Sequence, residues 1–404
     1  MPEKLTGPDA DPGDLPADLP DGDLPEPVVP DGDLPDGDLA DGELDAPPAQ
    51  SPRSVTLTIA ALATMALFAV MVLVPVPYAV GGPGPTKDTL GEEKGTPLIE
   101  VTGAPTYEST GQLRLTTVSY SGGPGYPVTL PSVLSAWISG DKIVSPVETV
   151  FPTDRSQDQI DKENQAEMVS SQENATVAAL EELGYTVPAT LVVAGTVDGT
   201  GAVGVVQEGD VVVSLQGTAI TTYTDLVEAL GQIKPGEHVT LGIERDGKPL
   251  EVEIVTGQRE SGGSQLGVFI DPSFDLPIDV KIQIEDIGGP SAGTMFALGI
   301  IDKLTPQDEV NGVTIAGTGT MDVDGTVGPI GGIRQKLAGA KRDGATWFLA
   351  PADNCDEVVG HIPAGLHVAK IDTLHSARTA MEAIGAGDGA SLPTCTAAAA
   401  AAAG

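Results

Sequence analysis

Val280-Lys-Ile-Gln-Ile-Glu-Asp-Ile-Gly-Gly-Pro-Ser-Ala-Gly-Thr-Met-Phe-Ala-Leu-Gly-Ile300 changes structural period twice within one short stretch. Val280–Ile284 alternates as a strand does, Glu285–Pro290 holds two glycines and a proline and reads as a sharp turn, and Ser291–Ile300 is an apolar helix. A serine at a helix start behind two glycines is well placed as a nucleophile. Neighbouring amides and the helix dipole can stabilise the oxyanion that forms after attack. The commonest reason for serine at that place is N-capping, and this segment alone leaves both roles open. Gly289-Pro-Ser-Ala-Gly293 also matches the G-x-S-x-G nucleophile elbow, with His361, His367 and His375 later in the chain as candidate partners. Only 113 residues follow Ser291, and a different module occupies the place of the strands that should precede such an elbow.

The next informative segment is Gly317-Thr-Gly-Thr-Met-Asp-Val-Asp-Gly-Thr-Val-Gly-Pro-Ile-Gly-Gly-Ile-Arg-Gln-Lys-Leu337. On a helix starting at Ile333, residues 333, 336, 337 and 340 share one face. Ile333, Leu337 and Ala340 are apolar, Lys336 is the one cation among them, and Arg334 and Lys341 fall at or beyond the edge. A lysine drawn toward a buried face loses hydration, which lowers its pKa and suits it to act as a general base. The competing role is a lysine whose stem covers apolar surface while its amine stays in water.

Taken together, Asp286-Ile-Gly-Gly-Pro-Ser-Ala-Gly293 and the Gly331-Gly-Ile-Arg-Gln-Lys336 string, with 45 positions between Ser291 and Lys336, resemble the Lon-type protease domain over about Leu266–Ala383. The resemblance is strongest to membrane-bound bacterial proteins that lack the ATPase and pair this domain with a PDZ domain. It implies an α+β fold and a serine endopeptidase in which Ser291 is the nucleophile and Lys336 its base. Thr318, in Thr318-Gly-Thr320, would orient the lysine amine, with Gly289 and Asp286 in support. Many Lon-type enzymes carry an acid three residues before the serine; this chain has Gly288 there, with Glu285 and Asp286 the nearest acids. A rival of another class is a PDZ scaffold on the membrane with an inert protease fold, against which both motif residues are present.

Residues 190–257 form a separate unit. Gly204-Val-Val-Gln-Glu-Gly-Asp-Val-Val212, a helix holding Asp225-Leu-Val-Glu-Ala-Leu230, and Pro235-Gly-Glu-His-Val-Thr-Leu-Gly-Ile-Glu-Arg-Asp-Gly247 resemble a bacterial PDZ domain. Such domains accept an extended peptide as an added strand. The resemblance places the groove between Leu191–Val193 and the helix face bearing Leu226 and Leu230; the same leucines can equally fill the module's core.

Outward from these units the chain simplifies. Residues 1–54 hold fifteen Asp/Glu against Lys4 and Arg53, with D-G-D-L-P at Asp21–Pro25 and Asp31–Pro35, and read as a disordered acidic tail. An uncharged apolar run begins at Val55, and a transmembrane helix is expected over residues 55–76. Twenty such residues rise about 30 Å, the hydrocarbon thickness. Residues 81–96 read as a Gly/Pro/Lys linker. Residues 97–189 read as a β/α region, with Gly111–Tyr120 at strand period and Met168, Ala175, Ala179 and Leu183 on one helix face, and serve as a possible first part of a split protease domain. The protease domain proper is expected over residues 262–385 and a low-complexity tail over 386–404.

The formal charge of −38 disfavours nucleic acid as a partner. No G-x-x-x-x-G-K-[ST] string, H-E-x-x-H or C-x-x-C occurs in the chain. The reading therefore takes no ATP, cofactor or metal, and polypeptides as substrates. Cys355 and Cys395 are the only two cysteines, so one intramolecular bridge is the simple outcome in an oxidising compartment. That expectation sets the location: a bacterial cell membrane crossed once, the acidic N-terminus cytoplasmic, the PDZ and protease units outside.

Overall fold

The computed structural model describes residues 52–123, 125–152, 154–259, 263–284 and 287–396. The acidic repeats up to residue 51, Glu285 and Asp286, and the terminal residues 397–404 lie outside the described residues. Helix α1 (Pro52–Leu73) has no buried residue. Among the described residues it is the one helix long and apolar enough to cross a membrane. The chain's contacts divide it between Leu62 and Ala63, inside α1.

The linker expected at residues 81–96 does not exist as such, because strand β1 (Tyr78–Asp88) occupies its first half. The glycines there reflect crowding. A Cβ on Gly81 would lie 2.6 Å from the Tyr120 ring, and one on Gly84 2.2 Å from the Thr117 hydroxyl. Glycine is what lets β1 sit between two neighbours, β3 (Gln112–Ser121) and β4 (Ile143–Pro146), both antiparallel to it. Before β3 comes β2 (Ile99–Thr102), and between β3 and β4 lies helix α2 (Leu130–Ile138). Helix α3 (Gln157–Glu182) follows, opened by a capping box in which Ser156 and Gln159 satisfy each other's amides.

The chain then builds a second sheet from β5 (Ala189–Thr196), β6 (Val211–Leu215), β7 (His238–Arg245), β8 (Lys248–Val255) and β9 (Val268–Phe274), with helix α4 (Tyr223–Gly231). The order is β8-β7-β6-β5-β9. Leu191, Val193, Leu215, Leu241 and Ile243 alternate inward and meet Leu226 and Leu230 of α4 in a core of their own.

Strand β10 (Asp279–Ile282) returns to pair with β2, and α5 (Gly293–Leu304) follows the Ser291 turn. Then β11 (Thr314–Gly317), α6 (Ile333–Arg342), β12 (Trp347–Pro351), β13 (His367–Ile371) and α7 (Leu374–Gly385) complete the chain. Strands from both ends of the described chain share one sheet, ordered β13-β12-β11-β3-β1-β4 and parallel from β3 to β13. The β11–α6–β12 unit is a crossover, as parallel neighbours require. The central strands are apolar on both sides because both faces are covered. Ile315 and Leu349 pack with Phe296 and Ile300 of α5 and with Ala175 and Ala179 of α3. Ala316, Phe348 and Ala350 face Ile333, Leu337 and Ala340 of α6. The fold is α+β, and it places α5 and α6 on opposite sides of β11.

Candidate active site

Ser291 is not a helix cap. Helix α5 starts at Gly293 with Ala292 as its N-cap, and no side chain caps it. Helix α3 holds the turn that carries Ser291. The Gly289 amide donates to the Asn164 carbonyl (3.0 Å), and the Ser171 hydroxyl donates to the Pro290 carbonyl (2.9 Å). Gly289 has φ +86°, a conformation that favours glycine, so its support is to shape the turn while its own amide is already bonded. Gly288, the departure from the family pattern, is explained by the same helix. A Cβ there would stand 2.7 Å from the Asn164 Cβ, so an acid at this position would collide with α3. Asp286 lies outside the described residues.

From the other side of β11, α6 delivers Lys336. Ile333, Lys336, Leu337 and Ala340 are all buried, as the helical spacing predicts, while Arg334 is exposed. The Lys336 Nζ lies 2.8 Å from the Ser291 Oγ and donates to the Thr318 Oγ1 at 2.9 Å. Thr318 donates its single hydroxyl proton to the Ser291 carbonyl (2.9 Å), so toward the lysine it can only accept. One Nζ proton is thereby directed to Thr318, which leaves the lone pair of a neutral amine free to face the serine hydroxyl. Burial lowers the Lys336 pKa from its ordinary value to about 7. The physical cause is lost hydration of the ammonium, which favours the neutral amine.

No histidine joins this pair. His375 bonds Glu182 (2.9 Å), His361 contacts the Val359 carbonyl, and His367 stacks on Trp347. The G-x-S-x-G alternative therefore has no histidine in reach. The sulfurs of Cys355 and Cys395 are bonded, which ties the segment after α7 to the sheet face that carries α6.

Ser291 and Lys336 open into a cavity of about 600 Å³ lined by Thr117–Tyr120 of β3, Ile287–Gly289 and Asn164. Its floor follows from strand lengths. β11 pairs with β3 only as far as Gly317↔Leu115, whereas β1 accompanies β3 to Ser121. Among the described residues, β3 therefore keeps an unpaired edge from Thr116 to Tyr120 on the side of the serine. Sequence reading missed Asn164, Ser171 and this edge. Asn164 acts through its main-chain carbonyl and Ser171 through its hydroxyl, each on a main-chain atom more than a hundred positions away in the chain, and no local pattern marks such a pairing.

The peptide-binding expectation needs correction. Leu191 and Val193 belong to β5, which is paired on both sides, by β6 and by β9, and both residues are buried with Leu226 and Leu230. All four are core. Among the described residues the outer strand on this side is β9, paired only with β5. Its inward side chains Ile270, Pro272 and Phe274 line a cavity with Tyr223 at the start of α4 and with Asp322–Asp324.

Residues 276–381 match the family model described as the Lon protease (S16) C-terminal proteolytic domain, and residues 166–256 match the PDZ domain. The chain carries a Lon-type proteolytic domain and a PDZ domain. Strand β9 falls between the two matched segments. Over 106 residues the chain is 37% identical to Lon protease 1 of Sorangium cellulosum, which covers 26% of this chain and 13% of that protein. Over 81 residues it is 40% identical to Lon protease 2 of Herpetosiphon aurantiacus, covering 19% and 10%. Thus the chain spans only a small part of the length of these Lon proteases. Among solved structures it is similar to the PDZ domains of SdrC-like proteins. That from Listeria monocytogenes has 18% identity, covers 20% of this chain and 86% of that one, and has a TM-score of 0.19. That from Listeria innocua has 17% identity, covers 20% and 92%, and has a TM-score of 0.20.

Proposed function

We propose that this protein is a membrane-anchored serine endopeptidase that uses a Ser291–Lys336 dyad and works without nucleotide. The observation that carries the reading is a buried lysine amine, with its pKa lowered to about 7, placed 2.8 Å from a serine hydroxyl. Neutral Lys336 takes the Ser291 proton as the Oγ attacks a peptide carbonyl. The protonated amine then returns the proton to the leaving nitrogen, and water, deprotonated by the same lysine, hydrolyses the ester. Thr318 positions the amine throughout.

The open edge of β3 suits an extended polypeptide, which would add as a strand over Thr116–Tyr120 and bring its carbonyl to Ser291. Outer strand β9 beside α4 offers a second edge, the one assigned here to PDZ recognition of peptide segments or termini. The proteolytic unit is split by the PDZ module. Supporting this, β1 and β3 share a sheet with β11–β13, while β5–β9 form a sheet and core of their own. Helix α1 is the anchor. The bonded Cys355–Cys395 pair favours an oxidising, extracytoplasmic location for the folded part, with the acidic N-terminus inside.

An electrophilic acylating probe tests the dyad. It should label the wild-type chain at Ser291 and label neither Ser291→Ala nor Lys336→Met. Labelling of Lys336→Met at the wild-type rate would leave the serine without its proposed base.

A further inference from the structure

Helix α2 has no charged residue in a chain of formal charge −38. Its nine residues, Leu130-Pro-Ser-Val-Leu-Ser-Ala-Trp-Ile138, have two apolar sides. Val133 and Ala136 point inward and are 0% and 1% exposed. Leu134, Trp137 and Ile138, one helical turn apart on the other side, are 41%, 64% and 87% exposed. Tyr126, four residues before the helix, is 76% exposed. A core-facing helix needs one apolar stripe, and the second stripe here is unused by the fold.

The chain's own connectivity says what covers it. Helix α1 ends at Leu73, Pro75 bridges to Thr129, and the Val76 amide donates to the Val128 carbonyl (2.9 Å). Thr129 is the N-cap of α2. Three residues from Val74 to Val76 reach at most about 10 Å. The twenty-two residues of α1 rise about 33 Å, enough to fill the hydrocarbon layer, so Leu73 marks its boundary. Helix α2 therefore begins within the headgroup layer or at its edge, the zone in which tryptophan, tyrosine and uncharged apolar helix faces settle. A cavity of about 700 Å³ lined by Pro75, Val76, Pro127, Val128 and Phe151, and also by Arg155, Ser156 and Gln157, adjoins this junction.

We propose that the Leu134–Trp137–Ile138 face of α2, with Tyr126, lies in the lipid interface as a second membrane contact and seats the catalytic body on the bilayer surface. The inference rests on α1 spanning the membrane. Because β1 enters the catalytic sheet with no flexible linker, a seated α2 limits how far that body can swing from the lipid.

Trp137 and Trp347 are the chain's two tryptophans, which makes the test direct. The full chain is reconstituted into phosphatidylcholine/phosphatidylglycerol vesicles, with and without acyl-chain-brominated phosphatidylcholine. The expected result is that emission from one of the two tryptophans is quenched by the brominated lipid and shielded from aqueous acrylamide. That component should be missing in Trp137→Ala, which should cleave soluble unfolded substrate as the wild type does. Alkaline carbonate extraction reads α1 separately. A chain that resists extraction while the bromine-quenched component is absent refutes the α2 contact and leaves the anchor intact. Shielding from acrylamide without quenching by bromine means that protein covers the face, a second copy included, and also refutes the contact. A chain extracted by carbonate removes the anchor and the inference with it.

Discussion

Replacing Lys336 by methionine keeps most of the side-chain volume and removes the titrating amine. The structure predicts that this variant is inactive and more stable than the wild type. Burial lowers the lysine pKa from 10.5 to about 7. At about 1.4 kcal/mol per unit, holding this group in the folded state costs on the order of 5 kcal/mol when the amine is protonated in the unfolded chain. Methionine forfeits the bonds to Ser291 and Thr318, each about 1 kcal/mol, so the net gain is roughly 3 kcal/mol. For a body of this size that is a rise of roughly 4–5 °C in melting temperature. The sign follows from proton linkage. Between the folded pKa near 7 and the ordinary lysine value, the unfolded chain holds a proton that the folded one does not. Wild-type stability therefore increases with pH across that window, and the gap to the methionine variant is full near pH 7 and below and closes as pH rises toward 10. Denaturation of both proteins in the same detergent at about pH 7 and about pH 10 reads the gap directly. A methionine variant that is no more stable near pH 7, or a gap that ignores pH, would mean that Lys336 is not held as a neutral buried amine.

Other consequences are simpler to read. Peptide cleavage by the wild type should rise through pH of about 7 as Lys336 loses its proton; a rate unchanged across neutral pH contradicts a lysine base. Lys336→Arg should be inactive, since guanidinium does not deprotonate in proteins, and substantial turnover would move the base elsewhere. His375→Ala should keep its activity, because its ring faces Glu182 and not Ser291. The Cys355–Cys395 bond closes a separation of 40 residues, so Cys395→Ser should lower stability by roughly 3–4 kcal/mol in the chain-entropy account; an unchanged denaturation midpoint would show the tie to be unimportant. Ile270→Glu on β9 should impair cleavage of protein substrates more than of short peptides. Equal losses on both would argue against peptide capture at that edge.

Much of this molecule was legible because the signals are local. The uncharged run behind Arg53 reads as a long apolar helix from composition alone. The face shared by Ile333, Lys336, Leu337 and Ala340 follows from 3.6-residue periodicity, and all four are buried. The strand–turn–helix around Ser291 is visible as a change of period, and two short motifs 45 residues apart carry the family resemblance. Where local signals misled, they did so for a physical reason. Glycine and proline in residues 81–88 resemble a linker because composition does not distinguish flexibility from the crowding that β1 meets between β3 and β4.

Tertiary structure decided which edges are open and which groups meet. Leu191 and Val193 read the same whether their strand is outermost or central. Only the return of β9, about eighty positions later in the chain, pairs their strand on its second side and moves the edge outward. The 2.8 Å approach of Lys336 to Ser291 depends on β11 lying between α5 and α6. The clamp of α3 on the serine turn depends on a chain that leaves the six-stranded sheet to build a second sheet and then returns. Sequence determines periodicity, and with it many of the helices, strands and buried faces, because these follow from neighbours along the chain. Long-range pairing is settled by which distant apolar faces can be covered together, and that is a property of the folded whole.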